Sequence, residues 1–344
     1  MSARVQGVSA RPFVRSAAAV TALSALVLTG CSANSGDVQE GDAAASDGDK
    51  VIVVTSTNVY SDLVKQVSGD QVEVTPIIDS AAQDPHSYEA SPQDRLTIEK
   101  ADVVILNGGG YDAFMEDMTT DSQKVVNAVD VSDLKGKDEA ADEHDHAEEE
   151  KGHAEEEGHA EEEEGHEGHH HEPGGFNEHV WYDLDTVQKL TDRIAEQLGE
   201  VDQDNSKQYT DNAANLNGEL SGMKEDLDAL EASGGYVATE PMPGYLLQDA
   251  GLHDDTPADF MTAIDSESDV APAVMKETTD LVTSGHIDLL AFNQQTSTGQ
   301  TEQLRKDAEN SGVSVVEFSE TLPDGKNYQE WMRDNIDRVS QAVK

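Results

Sequence analysis

The sequence predicts an α/β fold in two lobes, each a mainly parallel sheet flanked by helices. Short unbroken apolar runs alternate with amphipathic stretches, as they do where strands are buried on both faces beneath helices. The alternation occurs twice, on either side of a middle section without apolar periodicity, so a sheet is expected on each side. A long amphipathic stretch beginning near residue 205 lies between the two.

Residues 1–30 are set aside first. Arg4, Arg11 and Arg15 precede an apolar, charge-free run from Ala17 to Leu28, the pattern of a secretory signal. That run is shorter than the ~20 residues a spanning helix needs. It ends in Leu28-Thr29-Gly30-Cys31, which resembles a bacterial lipobox and implies cleavage before Cys31 and acylation of its sulfur. No disulfide is then possible, because Cys31 is the only cysteine. Residues 31–49 are Ser, Ala, Gly and Asp with almost nothing apolar, and read as a disordered tether.

The first lobe is expected over residues 50–203. A strand at 51–54 is followed by Val59, Leu63, Val64 and Val67 at helical spacing, then by strands at 72–78 and 103–106 with a helix at 92–100 between them. Within residues 136–175 the apolar pattern gives way to loose repeats such as Gly152-His153-Ala154-Glu155 and Gly158-His159-Ala160-Glu161. Nothing there can offset the entropy of ordering, so a disordered surface insert is expected. A helix at 185–198 closes the lobe. The segment 204–231 carries a second helix with Tyr209, Leu216, Leu220, Leu227 and Leu230 on one stripe, long enough to connect two lobes as a stiff rod. The second lobe, 232–344, repeats the alternation. It has strands at 236–239, 287–292 and 313–318, and helices after Pro243, at 270–283, at 300–310 and at the C-terminus.

The net charge of −49 makes nucleic acid and anionic lipid surfaces poor partners. Acidic residues are scattered along the chain, which serves solubility. The chain lacks His-Glu-x-x-His, a Gly-x-Ser-x-Gly elbow and a phosphate-binding loop, so a metal-dependent hydrolase is disfavoured and no enzyme is expected. Gly108-Gly109-Gly110 lacks the spacing of a dinucleotide fingerprint and reads as a tight turn.

Eight of the twelve histidines, His144, His146, His153, His159, His166, His169, His170 and His171, lie in the insert among carboxylates. Such a tract offers many interchangeable metal sites without a fixed geometry, hence auxiliary and unselective metal capture. A purely solubilising tract is the other reading, although carboxylates alone would serve that. His86 lies in Asp84-Pro85-His86-Ser87-Tyr88-Glu89, beyond the carboxyl end of the strand at 72–78, where ligands of parallel sheets bind. His179 lies in Asn177-Glu178-His179-Val180-Trp181-Tyr182-Asp183, just before a helix. Spacing alone leaves each open between a metal ligand and a loop histidine bonded to a backbone carbonyl. His253 and His286 adjoin turns or strand edges and read as structural.

These motifs in this order, joined by Tyr209 and Asn212, Thr239-Glu240 with Gly244-Tyr245, and Glu320-Thr321-Leu322-Pro323, carry a resemblance over residues 50–344. The chain resembles the zinc- and manganese-type solute-binding lipoproteins of bacterial ABC importers, the cluster A-I metal-binding proteins. The resemblance implies a metal in the cleft between two α/β lobes joined by a long rigid helix, with two ligands from each lobe. His86 and His179 match the first-lobe imidazoles. Glu240 stands where typical zinc-specific members have histidine and several manganese-type members have glutamate; Glu320 stands where most have aspartate. Asp84 and Asp183 are candidates for groups just outside the ligands. The resemblance further implies zinc as cargo with manganese as the alternative, an ABC permease and its ATPase as partners, a monomer, and a lipid anchor at the outer face of the cell membrane. A surface adhesin or a metal buffer without a transporter is the competing reading.

Overall fold

The apolar runs form two four-stranded sheets in the computed structural model, which describes residues 50–80, 83–134, 176–266 and 268–343. The first contains β1 (Ile52–Thr57), β2 (Glu73–Ile78), β3 (Val103–Leu106) and β4 (Lys124–Asn127) in the order β2-β1-β3-β4. The second contains β5 (Gly235–Ala238), β6 (His253–Asp254), β7 (Ile287–Asn293) and β8 (Ser314–Phe318) in the order β6-β5-β7-β8. Every pairing is parallel. In each sheet the chain steps to one side of its first strand and then crosses to the other. A crevice therefore opens beyond the carboxyl ends of the strands.

Helices cover both faces, which is why Val53, Val54, Val103, Val104 and Ile105 are fully buried in succession. They are α1 (Asn58–Ser68), α2 (Pro92–Ile98), α3 (Ala113–Met118), α4 (Ala128–Val131), α5 (Leu184–Val201), α6 (Ser206–Asp228), α7 (Gly244–Asp249), α8 (Ala258–Asp265), α9 (Pro272–Val282), α10 (Gly299–Ser311) and α11 (Tyr328–Ala342). Polar residues start several of them. Ser91 and Asp94 form a capping box at α2, and Asn327 with Glu330 does the same at α11.

The long helix α6 buries Tyr209, Ala213, Leu216, Leu220, Met223 and Leu227 and packs against α1, α5 and α11. Leu230, placed on the same stripe by the sequence, falls past its end and is only partly buried. Helix α11 returns from the second sheet to the first: the Tyr328 hydroxyl donates to the carbonyl of Trp181 at 2.6 Å, and its backbone N–H to Asp62 at 2.8 Å. One continuous apolar cluster therefore runs from Val53 and Val103 through Tyr182 and Leu220 to Phe318 and Trp331. A shared, close-packed core of this kind opposes wide opening between lobes.

Strands β4 and β6 lie outside those read from the sequence. Both are sheet edges: β4 buries only Val126 and leaves Val125 39% exposed, and β6 is two exposed polar residues. Neither has the unbroken apolar run that marks a central strand. Among the described residues no helix is long and apolar enough to cross a membrane. The signal, Cys31, the tether and the eight histidines of the insert lie outside the described residues.

Candidate metal centre

His86 is set by the turn that follows β2. Asp84 accepts the His86 backbone N–H at 3.0 Å through Oδ1 and the Ser87 hydroxyl at 2.8 Å through Oδ2, which folds the loop back toward the sheet edge. The His86 side chain remains 26% exposed and rests on the edge of the Tyr111 ring, with ring centroids 4.9 Å apart. His179 is only 2% exposed. Asn177 Oδ1 accepts both its backbone N–H, at 3.1 Å, and its Nδ1–H, at 2.7 Å. With Nδ1 protonated, Nε2 carries the lone pair and faces the cleft. Downstream, a 3₁₀ turn (Val180–Tyr182) leads into α5. There Asp183 is the N-cap, accepting the N–H of Asp185 and of Thr186 and the Thr186 hydroxyl. Its oxygens are thus committed to the helix start.

The second lobe contributes carboxylates from beyond β5 and β8. Glu320 is fully buried. Its backbone N–H donates to Gln295 Oε1 at 2.6 Å, while its side chain accepts the Tyr111 hydroxyl at 3.3 Å and Asn293 Nδ2 at 3.2 Å. Glu240 follows β5 and accepts from the Thr296 hydroxyl and, at 2.5 Å, from Asn293 Nδ2. Burial first, then the charge of Glu240, holds the Glu320 carboxyl well above the usual range; burial also raises Glu240. Burial and the neighbouring Glu320 push the Tyr111 hydroxyl up, so it stays a hydrogen-bond donor.

His86, His179 and Glu320 each present a ligand atom, and these atoms lie within 4.8 Å of one another. The two Nε2 atoms are 3.3 Å apart. His179 Nε2 is 3.5 Å from Glu320 Oε2, and His86 Nε2 is 3.9 Å from Oε1. Zinc–nitrogen bonds of about 2.0–2.1 Å in a tetrahedron set neighbouring donors about 3.3–3.4 Å apart. The imidazole pair meets that spacing, while the two histidines face different oxygens of the Glu320 carboxylate at slightly longer range. Glu240 is not in this trio; it accepts from Thr296 and Asn293 and is also hydrogen-bonded to Glu320. The cleft in front encloses about 850 Å³ and is lined on its first-lobe side by His86, Glu178 and His179 and on its second-lobe side by Glu240 and Asn293.

Among the described residues the other two histidines sit apart. His253 Nε2 lies 3.3 Å from Asp255 on exposed β6, and His286 is exposed in the turn before β7. Sequence reasoning missed Asn177, Tyr111, Asn293 and Thr296. The only local signal was the position of Asn177 two residues before a histidine, which Asp84 repeats before His86.

The glycine turn after β3 supports Tyr111. Gly108, Gly109 and Gly110 all have positive φ, at 81°, 69° and 96°, and a Cβ on Gly108 would come within 2.2 Å of the Asn127 side chain. Fully buried Asp112 clamps this turn by accepting the N–H of Asn107 at 2.6 Å and of Gly108 at 2.8 Å. Burial pushes its carboxyl up to about 6 from an ordinary 3.8. In that window the folded protein holds a proton that the unfolded chain has released, so stability falls as pH rises through it, by about 3 kcal/mol. Asp112→Asn removes this step. Thermal unfolding of parent and variant from about pH 4 to 7 should converge in slope only if Asp112 does not titrate there.

Comparison with known proteins agrees with this architecture. The family model described as "Zinc-uptake complex component A periplasmic" (ZnuA) matches residues 53–342. The manganese ABC transporter substrate-binding lipoprotein PsaA of Streptococcus mitis is 22% identical over 344 residues, covering 93% of this chain and 96% of PsaA. Among solved structures, the substrate-binding protein FpvC of Pseudomonas aeruginosa in complex with Mn2+ superposes with a TM-score of 0.63 at 22% identity, over 86% of this chain and 98% of that one. The periplasmic zinc-binding protein TroA of Treponema pallidum gives a TM-score of 0.64 at 17% identity, over 86% and 99%. With two parallel lobes, ligand-type side chains at the strand ends between them, and a family match across nearly all of the described residues, this chain belongs to the ZnuA family of metal-uptake components.

Proposed function

We propose that this chain is the solute-binding protein of an ABC importer and captures one divalent transition metal, zinc ahead of manganese, between its lobes. The observation that carries the reading is the convergence of His86, His179 and Glu320, from opposite lobes, with one ligand atom of each within 4.8 Å of the others. Glu240 completes the sphere by exchanging Asn293 and Thr296 for the ion. Two neutral imidazoles and two carboxylates then neutralise a divalent cation and leave no open position for water, which suits capture rather than catalysis. The family description and the histidine-rich segment favour zinc, whereas the relatives' names favour manganese. The Irving–Williams order gives zinc the tighter intrinsic binding at such a site.

In this reading Cys31 anchors the mature protein outside the cell membrane, the segment 136–175 raises the local metal concentration, and the loaded cleft docks on a permease served by its ATPase. The continuous core favours small lobe movements over wide ones. Metal content and zinc–manganese competition on protein from residue 32 onward test the reading, with residues 137–172 deleted in a second sample. One tightly held zinc that outcompetes manganese in both samples is expected. Selective manganese retention reassigns the cargo, and loss of tight binding with the deletion removes the cleft from the reading. Turnover of ester, phosphate or peptide substrates would favour an enzyme instead.

A further inference from the structure

Asn177 occupies an unusual position between the lobes. Its Oδ1 accepts two bonds from His179, and its Nδ2 donates to the carbonyl of Pro241 at 2.9 Å, the residue after Glu240. These three bonds fix the amide orientation, because a flip would set its NH2 against two donors and its oxygen against a carbonyl. The backbone carbonyl of Asn177 accepts the Tyr245 hydroxyl from α7 at 2.6 Å. Close approach is possible because residue 244 is glycine: a Cβ there would lie 3.3 Å from Asn177 Nδ2. Other cross-lobe bonds lie on the Glu320 wall: Asn58 with Leu322, Tyr182 with Ser319, and Tyr111 with Glu320, the last through a hydroxyl whose ring packs on both histidines.

We propose that Asn177 is a positioning residue and a latch, coupling metal occupancy at His179 to closure of the cleft rim at 241–249. The inference rests on the metal-capture reading above. A cation on Nε2 polarises the imidazole and strengthens Nδ1–H donation to Oδ1. Polarisation along a hydrogen-bonded chain then strengthens Nδ2–H donation to Pro241. Coupling is reciprocal: if metal tightens the rim, the closed rim tightens metal. The same amide holds the His179 tautomer whose lone pair faces the ion, so it acts on affinity and on closure through separate atoms.

Those atoms can be separated by substitution. Asn177→Asp keeps an acceptor for His179 and loses the donor to Pro241; Tyr245→Phe loses only the second rim bond. The mature chain in detergent micelles is loaded with Zn2+ for hydrogen exchange at residues 242–249, and with Co2+ for its visible ligand-field spectrum. In the parent, zinc should slow exchange at 242–249 by roughly 1.2- to 1.7-fold, a strengthening of about 10–30% in a bond of ordinary strength. Tyr245→Phe, which touches neither histidine, should keep the parent's cobalt spectrum and lose part of that slowing; Asn177→Asp should still bind cobalt, with a spectrum shifted by the carboxylate now facing Nδ1–H, and lose the slowing. Zinc slowing that survives unchanged in Asn177→Asp overturns the latch, as does a parent whose rim exchanges equally with and without zinc. A parent that binds neither ion overturns the site itself, a separate failure.

Discussion

Replacing His86 and His179 together by alanine lowers zinc affinity by about four orders of magnitude. Structural zinc sites bind with about 10–16 kcal/mol, which shared over four ligands is about 3 kcal/mol each, or two decades per ligand. The single variants should differ. His179 is 2% exposed and its ring is held by Asn177, so no water stands ready to replace it. His86, with its side chain 26% exposed, faces the cleft mouth, where water can take its place. His179→Ala therefore costs more than His86→Ala. Competition against a chelator of known zinc affinity gives all three values, with far-UV circular dichroism as the folding control. Parent-like binding by the double variant would remove this cleft as the metal site.

The parts of this fold most legible in the sequence are those with a short apolar run. Strands β1, β3 and β7, inside their sheets, each contain one, the edge strands β2 and β8 keep enough apolar residues to be read, and α5 and α6 each carry a broad apolar stripe. The edges β4 and β6 are different: they are short, largely exposed and carry polar residues at their ends. At the candidate site, His86 and His179 stood out because most other histidines cluster in one tract, although spacing could not separate ligand from loop residue. Resemblance, not pattern, singled out Glu240 and Glu320 among 71 acidic residues. The groups that orient these side chains were invisible. Asn293 reaches Glu240 across 53 positions and Tyr111 reaches Glu320 across 209, and no local periodicity encodes a bond of that range. Asp183 shows the converse, because its place before a helix marks a cap more directly than it marks a ligand.

Zinc affinity should climb with pH by about tenfold per unit for each proton that the ion displaces. Glu320 is held well above its ordinary 4.5, first by burial and then by Glu240, which burial raises as well. Above pH 4.5 the metal-free folded protein therefore retains a proton that the unfolded chain has lost. Its stability declines as pH rises through the raised values, since the native state binds more protons there than the unfolded state. A divalent cation replaces that proton and relieves the repulsion between the two carboxylates. The same pair thus gives opposite pH trends: falling stability without metal, rising affinity with it. Glu320→Gln preserves the shape of the side chain and deletes one ionisation. It should flatten both trends and weaken binding most at high pH, where the parent carboxylate is fully charged. Calorimetric titration with zinc in buffers of different ionisation enthalpy counts the released protons directly. The same pH trend of zinc affinity in parent and Glu320→Gln would mean that the pair is already ionised before the metal arrives, against the burial that surrounds it.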